Sequence, residues 1–254
     1  MRDVSLKEHE RLDDLMRSGR HIIQNTQEFC FSLDAVLLAH FLSWKSRQKV
    51  LDLGTGTGVI PLLIADEVAR VDAIELNAVM ADIAARNVWM NELEDKIFVK
   101  SGDYRRIREL YAPESFDVVV ANPPYRPVAH GQVNNMSGVA RARHEFTATL
   151  DDVVRAARFA LRFGGRFAMV HLPERLGEII VSLHAHQMEP KRLRMVQPKD
   201  GKAPNMMLME AVVGAAPGGL KVLPPLIVHR EDGSYTREIL QIYGMEEENN
   251  DKGR

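Results

Sequence analysis

Hydrophobic and polar positions change rhythm along this chain, and the first change comes near residue 49. Over residues 3–17, Leu6, Leu12, Leu15 and Met16 fall among charged neighbours at spacings that predict a short amphipathic helix. His21-Ile22-Ile23-Gln24 and Glu28-Phe29-Cys30-Phe31 flank Asn25-Thr26 and predict a hairpin. Ser32 offers a cap to residues 33–42, which are apolar almost all round and predict a buried helix.

From Lys49 strand and helix patterns alternate. Strands are predicted over 50–53, 71–76, 97–100, 116–121 and 165–172, with helices over 59–68, 77–90 and 150–163 between them. A helix follows Pro173 to about Gln187, and strands at 191–197 and 206–214 predict a hairpin, hence an antiparallel strand at the sheet's end. The result is an α/β fold: a mostly parallel sheet of seven strands with one antiparallel strand, covered by helices on both faces. Three regions are expected: 1–48 (helix, hairpin and buried helix), 49–215 (the sheet), and 216–254 (a small appendage with a frayed, charged end).

Composition narrows the setting. The 254 residues are 45% hydrophobic and 27% charged, ordinary for a globular protein with a sizeable core. One cysteine, Cys30, excludes a disulfide framework within the chain, favours a reducing cytoplasm, and in its apolar run reads as buried and structural. No apolar run approaches a membrane span, and the polar start is unlike a signal peptide. The nine histidines show no metal-ligand spacing. The net charge of −2 shifts attention to local charge.

Gly54-Thr55-Gly56-Thr57-Gly58 lies between the first sheet strand and its helix, where glycines let the backbone turn sharply and a ligand approach the main chain. A dinucleotide fingerprint is G-x-G-x-x-G; here the third glycine comes one residue early. Asp52 precedes the loop, where a carboxylate repels a pyrophosphate and attracts the ammonium of an amino-acid moiety. Glu75 ends the second strand and can accept from both ribose hydroxyls. Asp103 follows the third strand and can accept from an adenine amino group, or simply cap the segment after it. All sit at successive strand ends, the ligand side of open α/β sheets. S-adenosylmethionine satisfies every one of these demands.

Asn122-Pro123-Pro124-Tyr125 ends the strand at 116–121. Asn-Pro can start a turn, but a turn needs neither the second proline nor the aromatic. Methylation of an exocyclic amine on a planar ring gives all four a reason. The Asn122 side-chain oxygen and the Pro123 carbonyl can hold the two amine hydrogens and aim the lone pair at a methyl group. The prolines preorganise these acceptors, and Tyr125 can stack on the ring.

Phe31-Ser32-Leu33-Asp34-Ala35-Val36-Leu37-Leu38-Ala39, residues 50–61, the tetrapeptide, Ala142-Arg143-His144-Glu145, Leu150-Asp151-Asp152 and Pro190-Lys191-Arg192 occur in an order that resembles the bacterial tRNA(Val) adenine-37 N6-methyltransferase family, in its Gram-positive-type branch. The resemblance spans roughly residues 8–243. It implies a Rossmann-like class I methyltransferase fold, S-adenosylmethionine as cofactor, and an adenine N6 amine in RNA, a tRNA, as substrate. It also implies that Asp34 closes over the methionine part of the cofactor; from the residues alone, Asp34 is an early-turn helix acid.

RNA contact is expected from Arg126, Arg141, Arg143 and His144, in the long segment after the tetrapeptide, and from Lys191 and Arg192. A solvated loop and a charged edge strand are the plain alternatives. Arg105, Arg106 and Arg108 form a further basic cluster. Three other functions stay open: methylation of a glutamine amide in a protein, whose enzymes usually carry a separate N-terminal helical domain; methylation of an adenine in DNA, for which no obvious target-recognition domain is seen; and a non-catalytic nucleotide or RNA-binding module. The sequence leaves the oligomeric state undetermined.

Overall fold

The computed structural model describes residues 1–16, 18–28, 33–123 and 148–245. Two short strands come first, β1 (Glu10–Asp14) and β2 (His21–Asn25), paired antiparallel with Glu10 opposite Asn25. Then follow α1 (Leu33–Phe41), β3 (Lys49–Leu53), α2 (Val59–Ile64), β4 (Arg70–Glu75), α3 (Ala78–Met90) and β5 (Ile97–Ser101). A 3-10 turn (Tyr104–Arg106) leads into α4 (Ile107–Leu110), and β6 is Phe116–Ala121. After it come α5 (Leu150–Ala160), β7 (Leu161–His171), α6 (Leu176–Ala185), β8 (Met188–Lys199), β9 (Met206–Val213), β10 (Lys221–His229) and α7 (Arg237–Tyr243).

The large sheet has the order β10-β8-β9-β7-β6-β3-β4-β5. β9 is antiparallel to both neighbours, β7 and β8, and every other pair is parallel. This is the mostly parallel α/β sheet with one antiparallel strand that the pattern predicts, except that β9 lies inside the sheet, between β8 and β7, and not at its end. The segment taken as an appendage adds an eighth strand, because β10 pairs with β8 through Lys221 opposite Arg192 onward. Alternation along the strands sends Leu51, Leu53, Val119 and Ala121 into a core under α5, and Val50, Val118 and Val120 into a second core under α1 and α2. Asp52 follows the second set and so points toward α1 and α2.

Local signals explain the helix ends. Asn77 caps α3, its side chain accepting from Val79 N at 3.0 Å, and Thr149 with Asp152 forms a reciprocal capping box on α5. α2 stops at Ile64, short of the predicted end, as the chain turns at residues 65–69 toward β4.

The N-terminal expectation fails. Residues 3–17 contain strand β1, not a helix, and β2 pairs with this upstream strand. Of the four apolar residues that suggested a helix, only Leu15 is buried; Leu6, Leu12 and Met16 are exposed. An isolated helix this short is marginal in water, whereas β2, with Ile22 and Ile23 fully buried, offers a strand edge that satisfies the backbone. Cys30, Ser32 and the expected second arm of the hairpin lie outside the described residues.

Candidate active site

The register Leu53 opposite Ala121 sets the end of β6 beside the end of β3, and this brings the glycine loop and Asn122 into one cleft. Ala35 from α1, Asp52, Gly54, Thr55, Gly56 and Thr57 from the loop, Val59 and Ile60 from α2, and Asn122 line it. The loop turns through left-handed backbone at Gly54, Gly56 and Gly58, with φ of 76°, 59° and 87°. At Gly56 an added Cβ meets only Met80 Cε, at 3.8 Å, so backbone rather than space demands glycine there. Gly56→Ala is therefore expected to fold but to lose about 1–2 kcal/mol of stability, read as a lower urea midpoint.

Asp52 is the unusual group. It is 1% exposed, and among the described residues neither carboxylate oxygen has a hydrogen-bond partner. Thr55 Oγ1 is likewise buried and unpartnered. Buried polar atoms are nearly always bonded, so this trio marks a place built to receive a donor. Burial, with the nearby Glu75 charge adding to it, pushes the Asp52 acid up to about 7. The neighbouring Thr55 hydroxyl opposes that shift in part, although the two groups do not meet in hydrogen-bond geometry.

Glu75 uses its two oxygens to order the loop: Oε2 accepts from Gly56 N and Oε1 from Asn77 N, each at 2.8 Å. Both oxygens retain a lone pair for further donors. Asp103 caps the 3-10 turn by accepting from Arg105 N at 2.9 Å and pairs with the Arg105 side chain. Burial pushes its acid up, but the Arg105 hydrogen bonds outweigh this and hold it below the usual range. Asp34, at the start of α1, is buried with Oδ1 accepting from Ala35 N at 2.9 Å. Its neighbour Ala35 reaches the cleft. A buried carboxylate lining the cleft favours a cationic ligand. An ammonium meets the donor requirement at Asp52, and the residues present fit S-adenosylmethionine.

Tyr104 escaped the reading from sequence. Its Cε1 lies 3.9 Å from where a Gly54 Cβ would be, so the ring walls the loop on the Asp103 side. An aromatic immediately after Asp103 was the available signal.

The basic residues separate into two groups. Lys191 donates to the carbonyl of Ala216 at 2.7 Å, and Arg192 pairs with the buried Glu210 at 2.8 Å while lying over Phe41. Arg105 and Arg106 pair with Asp103 and Glu109. These side chains are bonded within the fold. Pro124, Tyr125, Arg126, Arg141, Arg143 and His144 lie outside the described residues. Among the described residues no three His, Cys, Asp or Glu group to hold a metal, and no helix is long and apolar enough to cross a membrane.

Comparison with known proteins gives the same chemistry from another direction. The model of the methyltransferase small domain matches residues 32–175, more than half of the chain. A tRNA1(Val) (adenine(37)-N6)-methyltransferase of Tolumonas auensis is 33% identical over 196 residues, covering 74% of this chain and 78% of that protein. One of the same name from Porphyromonas gingivalis is 29% identical over 201 residues, covering 77% and 78%. Among solved structures, a predicted O-methyltransferase from Agrobacterium tumefaciens superimposes with a TM-score of 0.67 at 23% identity, over 84% of this chain and 96% of that one. This last likeness concerns the fold.

Proposed function

Because the chain belongs to the methyltransferase small-domain family, and within it to the tRNA(Val) adenine-37 N6-methyltransferases, we propose that it methylates the exocyclic N6 amine of an adenine in a tRNA. The observation that carries this reading is the shared cleft of Asp52 and Asn122: an unpartnered buried carboxylate for the cofactor and an amide acceptor for the target amine. S-adenosylmethionine, when bound, supplies a methyl group already activated on a sulfonium.

Each residue then has a task. Asp52 receives the ammonium, Gly54, Thr55, Gly56 and Gly58 shape the loop around the ligand, and Glu75 accepts from the ribose hydroxyls. Asp103 accepts from the cofactor's adenine amine with a lone pair that Arg105 leaves, and Asp34 holds the methionine side. Asn122 and the Pro123 carbonyl hold the target amine hydrogens, turning its lone pair toward the methyl group. Pro124 stiffens that turn and Tyr125 stacks on the base. Because activation resides in the cofactor, positioning by these residues suffices and no strong base is required. The adenine has to leave its stack to reach Asn122, as in other enzymes that act on a base. The reaction belongs to the cytoplasm, where tRNA is found.

With Lys191 and Arg192 bonded internally, RNA contact falls to Arg126, Arg141, Arg143 and His144. Arg141→Gln with Arg143→Gln is expected to raise KM for tRNA and lower the salt slope of binding by about 2, leaving affinity for S-adenosylhomocysteine unchanged. An unchanged salt slope removes these residues from the RNA surface. The cofactor half is tested by titrating S-adenosylhomocysteine calorimetrically. One saturating site is expected; no heat of binding sinks the proposal.

A further inference from the structure

The hairpin of β1 and β2 lies ahead of the segment that the family model matches. One edge of β2 pairs with β1. Among the described residues the other edge meets no strand, yet the backbone groups of His21 and Ile23 are satisfied. Asn91 Oδ1 accepts from His21 N at 3.2 Å and Asn91 Nδ2 donates to His21 O at 2.8 Å. Asn87 Oδ1 accepts from Ile23 N at 2.6 Å and its Nδ2 donates to Ile23 O at 3.1 Å. A carboxamide carries the same donor and acceptor as a peptide group. Four residues of helix rise about 6 Å. Two residues of strand rise about 6.7 Å. Asn87 in α3 and Asn91 at its C-terminal cap, four apart, therefore stand in for a neighbouring strand along β2.

Asn87 does one thing more. Its Nδ2 also donates to the carbonyl of Thr57, at 2.9 Å. Thr57 sits between Gly56 and Gly58, both with left-handed backbone, in the loop that lines the cleft. Holding that carbonyl fixes the plane of the Thr57–Gly58 peptide, whose N–H donates to Thr55 O at 3.0 Å. Asn87, Thr57 and Ile23 are all buried, so solvent does not replace these bonds. Asn91 has no such reach: among the described residues its Nδ2 donates, beyond His21, only to Asn87 O at 2.8 Å.

We propose that Asn87 is a positioning residue that couples the N-terminal hairpin to the glycine loop, so that cofactor binding and hairpin docking reinforce each other. The idea rests on the cofactor reading of the cleft. Coupling is reciprocal, which gives it a signature in the unaltered protein. Saturation of the full chain with S-adenosylhomocysteine is expected to slow amide exchange at His21 and Ile23, whose N–H groups are held by Asn91 and Asn87. Asn87→Ala is expected to raise the S-adenosylhomocysteine Kd about tenfold. Asn91→Ala, which loosens the same hairpin without touching the loop, is expected to lower Tm but leave the Kd within about twofold. Equal effects of the two variants on Kd, or ligand binding with no change in exchange at β2, overturn the coupling. Should Asn87→Ala fail to fold, the exchange measurement decides alone. Absence of any ligand binding to the unaltered protein overturns the cofactor reading itself, and the coupling with it.

Discussion

Replacing Asn122 with alanine is expected to reduce methyl transfer by about three orders of magnitude while the affinity for S-adenosylhomocysteine stays within about twofold. The reason lies in where Asn122 stands. β6 ends at Ala121, opposite Leu53 of β3, so the residue after it faces the cleft just past the loop. Its side chain lines the same cleft as Asp52 and the glycine loop. An aromatic amine shares its lone pair with the ring and attacks poorly unless its hydrogens are held. Alanine removes that hold and leaves Asp52 and Glu75, the residues proposed to hold the cofactor, untouched. The loss belongs in kcat with labelled tRNA, and calorimetry checks the binding half. Full activity in the variant would sink the mechanism.

Asp52→Asn is expected to divide stability from function. The unliganded protein becomes more stable, while cofactor affinity falls by about 100-fold. The acid moves from an ordinary 3.8 to about 7 through burial, so folding opposes its ionisation. Below about pH 4 the group is protonated in both states and costs nothing. Between about 4 and 7 the unfolded chain has released the proton that the folded chain still holds, so stability falls as pH rises. Above about 7 the loss is complete, and the roughly three-unit shift amounts to about 4 kcal/mol. Asparagine removes the ionisation and the pH slope with it. Tm measured from pH 5 to 8 without ligand is expected to fall for the unaltered protein and to change far less for the variant. Cofactor binding follows the opposite direction, because the ammonium requires the carboxylate. Affinity of the unaltered protein is expected to weaken about tenfold for each pH unit below 7, with a proton released on binding. Parallel pH profiles for the two proteins would contradict this role of Asp52.

The sequence was most informative where function depends on local pattern. The strand-loop-helix around Gly54, Gly56 and Gly58, the acids at the ends of β3 and β4, and β6 with its exact bounds Phe116–Ala121 depend on neighbours a few positions away. Legibility fails where a residue's partner is distant. β1 reads as a helix until β2 supplies an edge for it. Lys191 and Arg192 read as an open basic patch, because Ala216 and Glu210 lie 25 and 18 positions away. Asn87 and Asn91 look like polar positions on a helix, since the strand they complete lies 64 and 70 positions earlier. β10 joins the sheet through β8, a pairing that no local periodicity specifies.

The central claim is the transfer of a methyl group to an RNA adenine. Its most direct test is incubation of the protein with labelled S-adenosylmethionine and total RNA from a strain lacking it, followed by nucleoside digestion. Label is predicted in N6-methyladenosine from tRNA, at a single position, and absent when the Asn122→Ala variant is used. Label confined to protein, or no transfer to any RNA by an enzyme that binds S-adenosylhomocysteine, would contradict it.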